Sequence, residues 1–180
     1  MPLTVVASLL WLTVLAGCGT YPVAEGSHKT LPRLNSRAVV WGGDVSAAEE
    51  ASIWLKHRGL TIAEEIFRDE PGGVTHTPQD EAQLRELAKR VEAETVVFVD
   101  VSIQSRETWT FGASGTMQEA TVAVRGVSAE TGEVMFQGVA KHFRPHTNET
   151  GVTPLTCYAL ASAWNEPRSS CEPRNKERIR

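Results

Sequence analysis

Hydrophobic residues along this chain recur with two different periods, and each period predicts a type of element. Continuous or alternating apolar runs are typical of strands, in which successive side chains point to opposite faces. Apolar residues spaced three or four apart are typical of helices that bury one face. The predicted strands are 38–41, 60–67, 95–104, 120–128 and 134–143. The predicted helices are 46–58, a segment that begins at Thr77-Pro78, and 153–164.

Turn and cap residues set the ends of these elements. Ser46 and Glu49 match a capping box at the start of the first helix, and Gly59 is a natural stop after it. Segment 60–67 is compatible with a strand or a helix, and its neighbours favour a strand. Gly132 lies where a hairpin turn needs a left-handed residue. Residues 106–118, rich in Gly, Ser and Thr, are predicted to form a loop.

The resulting order is β-α-β-α-β-β-β-α, in which helices precede a three-stranded meander. This order predicts an α+β fold with a mixed sheet of about five strands and two or three helices packed mainly on one face. The predicted domain covers residues 38–165. A basic tail, 166–180, follows it.

The N-terminal segment carries the clearest signal for the location of the protein in the cell. Residues 3–16 are almost entirely apolar, which suits a secretory signal and is too short for a membrane span. Leu15-Ala16-Gly17-Cys18 resembles the lipobox of bacterial lipoproteins. The resemblance implies cleavage after residue 17 and acylation of Cys18, with residues 18–37 as a lipidated cysteine and tether. An ordinary secretory signal is the alternative. Gly19 is not the aspartate that retains such proteins on the inner membrane, which favours the periplasmic face of the outer membrane.

Charge and cysteine content narrow the function classes further. The 180 residues carry 18 Lys and Arg against 22 Asp and Glu, a formal charge of −4, which argues against a general nucleic-acid binder. With Cys18 acylated, Cys157 and Cys171 remain, and an oxidising periplasm favours a disulfide between them. Two free thiols are the alternative.

Catalytic and metal-binding patterns are weak, so we expect no enzyme activity, cofactor or metal. Gly42-Gly43 before a helix could offer free amides to an anion, although a turn with a helix cap is the simpler interpretation. His142 and His146 are four residues apart, but Pro145 prevents a shared helical face. A small enzyme or ligand-binding lipoprotein with a site near Gly42–Asp44 is the alternative function.

Two features point to a binding surface instead. Asp100 is an acid within an apolar strand, and Arg125 would lie diagonally across from it if the chain turned near 111–112. They form either a structural pair or part of a partner-binding surface. Trp109 and Phe111 lie in the predicted loop, where they are either buried by folding back or exposed for a partner or a membrane.

The segments 85–103 and 120–138 carry a family resemblance. A helix leads through Ala93-Glu94-Thr95 into a strand, and a hairpin then turns at Thr131-Gly132-Glu133. This arrangement is similar to the periplasmic α/β domain of CsgG-like secretion lipoproteins, LpoB-type activators of penicillin-binding proteins and the N-terminal domain of TolB. The resemblance implies a non-catalytic binding or assembly domain of the envelope, with a protein partner and, through a free sheet edge, a homo-oligomer.

Overall fold

The computed structural model describes residues 22–67, 81–110, 113–145 and 151–171. The strands are β1 (Val23–His28), β2 (Arg37–Gly42), β3 (Thr61–Phe67), β4 (Thr95–Thr110), β5 (Ala113–Ser128) and β6 (Val134–Pro145). The helices are α1 (Val45–His57), α2 (Glu81–Arg90) and α3 (Val152–Ala163), and a short 3₁₀ helix follows at Arg168–Cys171. The six strands form one sheet in the order β1-β6-β5-β4-β2-β3. The predicted α+β class and element order are therefore confirmed, with β1 in addition.

The sheet combines two kinds of pairing. Strand β2 lies between β3 and β4 and is parallel to both, whereas β4, β5, β6 and β1 pair antiparallel to one another. Residues 38–41 of β2 and 96–99 of β4 are buried on both faces of the sheet. This burial explains why these segments are almost continuously apolar, since central parallel strands are covered by helices on both sides.

Two of the three described helices pack on one face of the sheet and the third packs on the other. Helices α1 and α3 enclose a core that includes Trp54, Val97, Phe136 and Leu160. Helix α2 covers a smaller core on the opposite face, built around Leu84, Val96 and Phe98. The described helices thus lie mainly on one face, as predicted, and the described residues leave much of the other face uncovered.

Two paired glycines let α3 approach the sheet closely. Gly26 of β1 lies opposite Gly138 of β6. A Cβ atom on Gly138 would stand 2.0 Å from the carbonyl oxygen of Ala159, and one on Gly26 would stand 2.5 Å from the backbone nitrogen of Ala163. Both positions therefore require glycine.

The predicted disulfide is present. Cys157 of α3 is bonded to Cys171, with their Cα atoms 5.8 Å apart, and both residues are buried. The bond ties the start of the predicted basic tail to the helix, so residues 168–171 belong to the folded domain.

The segment predicted as a tether contains a strand. Residues 23–28 form β1 at the edge of the sheet, so the tether interpretation of 18–37 is wrong for this part. The sequence of β1, Val-Ala-Glu-Gly-Ser-His, has no apolar alternation because the strand is exposed at almost every position. Its place in the sheet comes from backbone pairing with β6 and from the contact of Ala24 and Gly26 with the core on the side of α3.

The predicted loop over 106–118 is also wrong. Strands β4 and β5 continue through it in register as far as Thr110, which pairs with Ala113. Its Gly, Ser and Thr content lacks the apolar alternation by which strands are recognised, so the sequence does not reveal these strands.

The local signals at helix ends were partly correct. Gly59 has a φ of +80° after α1 and Gly132 has a φ of +76° in the β5–β6 turn, as expected. The cap of α1 is Asp44 rather than Ser46, because the Asp44 carboxylate accepts a hydrogen bond of 2.9 Å from the amide of Ala47. The predicted helix start at Thr77-Pro78 lies outside the described residues.

Candidate functional site

Among the described residues, α2 is the helix that covers its face of the sheet, and the part of that face beyond α2 carries no further element. A shallow groove of about 550 Å³ crosses it over β1, β6, β5 and β4. We call this region the open sheet face. Its side chains are Glu25, Ser27, Asp100, Ala123, Arg125, Gln137, Val139 and Lys141.

Strand register brings these residues together from four separate parts of the chain. Asp100 of β4 lies opposite Ala123 of β5, which lies opposite Val139 of β6, which lies opposite Glu25 of β1. Directly opposite residues point to the same face, so the row has a carboxylate at each end and two small apolar side chains between them. At about 4.8 Å per strand, the two carboxylates stand roughly 14 Å apart.

Cations flank this row on both sides. Arg125 lies in the neighbouring row on the side of α2. Lys141 lies in the neighbouring row on the other side, nearer the tip of the β4–β5 hairpin. Among the described residues, the side chains of Glu25, Asp100 and Lys141 have no ion-pair partner. Unpaired charges of both signs on a rigid sheet are suited to binding a polar surface whose charges complement them.

Arg125 has a partner, although not the one that the sequence suggested. Its guanidinium lies 2.9 Å from the carboxylate of Glu81, in the first turn of α2, and 4.7 Å above the ring of Phe98. Asp100 does lie diagonally across from Arg125, as the predicted turn near 111–112 requires. Because Glu81 of α2 pairs with the guanidinium, the Asp100 carboxylate stays exposed to solvent.

One of the two predicted aromatic residues, Trp109, lies far from this groove along β4. Trp109 is in β4, opposite Ser114, nine residues beyond Asp100 on the same strand. At about 3.3 Å per residue the two positions are roughly 30 Å apart. Phe111 lies outside the described residues. The single surface predicted from Asp100 and the aromatic segment is therefore two separate regions.

The alternative site near Gly42–Asp44 is taken up by structural contacts. The amide of Gly43 donates to the carbonyl of Val99 at 3.1 Å, and the Asp44 carboxylate caps α1. A Cβ atom on Gly42 would stand 2.5 Å from that of Ala48, so Gly42 is needed for helix packing. The Gly43 amide and the Asp44 carboxylate therefore stabilise the turn and the helix cap.

The remaining candidate residues are the two histidines considered as a metal pair. His142 is buried in β6, and His146 lies outside the described residues. Within the described ranges, His, Cys, Asp and Glu side chains form no group of three that could hold a metal ion. No helix in that part of the chain is both long and apolar enough to span a bilayer.

Comparisons with known proteins identify the fold. No family model matches this chain, and no curated protein matches it. Two crystal forms of the PelC dodecamer from Paraburkholderia phytofirmans, one of a point variant, are similar in structure, each with a TM-score of 0.50. Their identities are 15% and 16%, over 82% of this chain and 100% and 99% of theirs. The lipoprotein GNA1162 from Neisseria meningitidis matches 72% of this chain and 98% of its own at 13% identity, with a TM-score of 0.41. At these identities the PelC likeness shows a shared fold alone.

Proposed function

We propose that this chain is a non-catalytic binding and assembly protein of the bacterial envelope, held by lipid at Cys18 on the periplasmic face of the outer membrane. The lipobox supports the anchor, and the fold that the chain shares with PelC is compatible with an envelope protein. The resemblance to CsgG-like and LpoB-type domains supports binding or assembly, rather than catalysis, as the class of activity.

The observation that carries the proposal is the open sheet face. A sheet normally buries both faces or turns a solvated polar face to water. Here the open sheet face holds small apolar residues, Ala123 and Val139, between the carboxylates of Glu25 and Asp100, which have no ion-pair partner among the described residues. A protein surface could cover these residues and pair the charges at little conformational cost, because the strands are already rigid.

The partner is a protein, either another envelope component or a second copy of this chain. The PelC structures are dodecamers, which makes self-assembly one candidate for this fold. Both sheet edges, β1 and β3, are unpaired within the described chain and could extend the sheet into a neighbour.

A photocrosslinking amino acid placed at Ala123 in the full-length lipidated protein tests the proposal. Ala123 lies in the floor of the groove, and the matched control is Glu49, an exposed residue of α1 on the opposite side of the sheet. In intact cells we expect a discrete crosslinked band from position 123 and none from position 49. Mass spectrometry of the band then separates a second copy from another protein. Equal crosslinking at both positions, or none at either, would contradict the proposal.

A further inference from the structure

The β4–β5 hairpin projects beyond the rest of the described sheet. Strand β2 pairs with β4 only as far as Val99, and β6 pairs with β5 only from Met117 onward. The hairpin itself stays in register up to the pair between Thr110 and Ala113. Residues 107–110 and 113–116 therefore form a two-stranded ribbon, a structure that is marginally stable in water without a further contact.

The proposed lipid anchor enters the sheet at the same end. Strand β1 begins at Val23, which lies level with Ser102 through the pairs with Lys141 and Thr121. Strand β1 then runs away from the hairpin, towards the β5–β6 turn, so the chain before Val23 leaves the sheet on the hairpin side. Val23 lies five positions after Cys18, and at 3.3–3.6 Å per residue this stretch spans at most about 18 Å.

These two lengths can be compared directly. From Ser102 to Thr110 the hairpin rises by eight residues, about 27 Å at 3.3–3.4 Å per residue. The ribbon thus extends further past Val23 than the chain to Cys18 can reach. A bilayer that holds the acyl chains of Cys18 and faces this end of the sheet meets the ribbon before the linker is fully extended.

The composition of the ribbon suits a lipid surface. Residues 108–118 contain no charged side chain and are bounded by Glu107 and Glu119. Two aromatic residues, Trp109 and Phe111, lie within this stretch. Aromatic residues, tryptophan above all, favour the boundary between headgroups and acyl chains, and uncharged segments enter it at low cost.

We propose that the end of the β4–β5 hairpin contacts the headgroup region of the same bilayer that holds Cys18. This inference rests on the proposed lipid anchor. With Cys18 and the hairpin as two points of attachment, the strands stand at a steep angle to the membrane, and the open sheet face lies at a fixed height above it.

Spin labelling of the lipidated full-length protein in phospholipid vesicles tests this contact. Ser114→Cys places a label on the ribbon, and Thr131→Cys places the matched control in the β5–β6 turn at the opposite end. The label reacts only with the introduced thiol, because Cys157 and Cys171 are bonded to each other and Cys18 is acylated. Accessibility to oxygen, which concentrates in lipid, and to a water-soluble nickel chelate reports the depth of each label.

At Ser114 we expect an oxygen-to-nickel accessibility ratio several-fold higher than at Thr131. If the protein floats with the vesicles and the two labels give the same ratio, the contact is absent and the anchor stands. If the label at Ser114 is shielded from both reagents, the ribbon is covered by protein, which also overturns the inference. Failure to float shows instead that the anchor proposal is wrong.

Discussion

Replacing Gly138 with alanine should destabilise the domain, because the site has no room for one methyl group. The new Cβ atom would stand 2.0 Å from the carbonyl oxygen of Ala159, which belongs to the backbone of α3 and cannot rotate away. Overpacking of this kind costs about 1–3 kcal/mol. The lower conformational entropy of unfolded alanine offsets roughly 0.4–1 kcal/mol of this cost. Because a 2.0 Å approach to backbone is severe, the cost falls at the upper end of this range, and we expect a net loss of about 2 kcal/mol in the free energy of unfolding.

Thermal unfolding of the oxidised protein measures this loss, and Gly43→Ala is the matched control. A Cβ atom on Gly43 would have no heavy atom within 4 Å. For a domain of this size about 2 kcal/mol corresponds to a decrease in Tm of roughly 4–8 °C. The control should melt at the wild-type temperature or slightly above it. If both variants melt together, α3 does not pack on β6 as closely as described.

Two further predictions concern the packing of α3. Reducing the bond between Cys157 and Cys171, which are 14 residues apart, should cost about 3 kcal/mol in the chain-entropy model, measured as a lower urea midpoint after reduction. The guanidinium of Arg58 forms two hydrogen bonds to Glu166 and stacks on Trp54, 4.3 Å from the ring centroid. Arg58→Lys removes this pair of hydrogen bonds, and it should lower the free energy of unfolding by about 1 kcal/mol in the same assay. An unchanged midpoint in either experiment would contradict the corresponding contact.

The sequence predicts best where side chains are buried. The apolar runs at 38–41 and 96–99 identify β2 and the start of β4 because helices cover both faces of the sheet at these residues. The disulfide between Cys157 and Cys171 is predicted by assigning Cys18 to the expected lipid anchor, which leaves these two cysteines as a pair. Buried strands and cysteine pairs can be recognised from residue types alone, without knowing how the strands pair.

The sequence predicts worst where backbone pairing, rather than burial of an apolar face, contributes most to the structure. Strand β1 has almost no buried side chain, and the outer part of the β4–β5 hairpin is polar and rich in small residues. Their positions follow from hydrogen bonding to neighbouring strands, which leaves no periodic signal. Each was therefore assigned to a tether or a loop.

The open sheet face was predicted only in part for the same reason. Asp100 and Arg125 stand out because each is charged within an otherwise apolar strand, and the hairpin turn relates them directly. Glu25 and Lys141 complete the face through β1 and β6, and finding them requires the pairing between these strands. The partner of Arg125 was missed because Glu81 lies in a separate helix, α2, and only the packing of that helix on the sheet brings its carboxylate to Arg125.

The central claim is that acylation of Cys18 holds this domain at the bilayer, only five residues before its first strand. The most direct test is the intact mass of the protein extracted from the membrane fraction, beside that of a Cys18→Ser variant. We expect a chain that begins at residue 18 and carries acyl groups on that residue, whereas the variant lacks lipid and leaves the membrane fraction. A wild-type chain without lipid, or one that keeps residues 1–17 intact, would contradict the account.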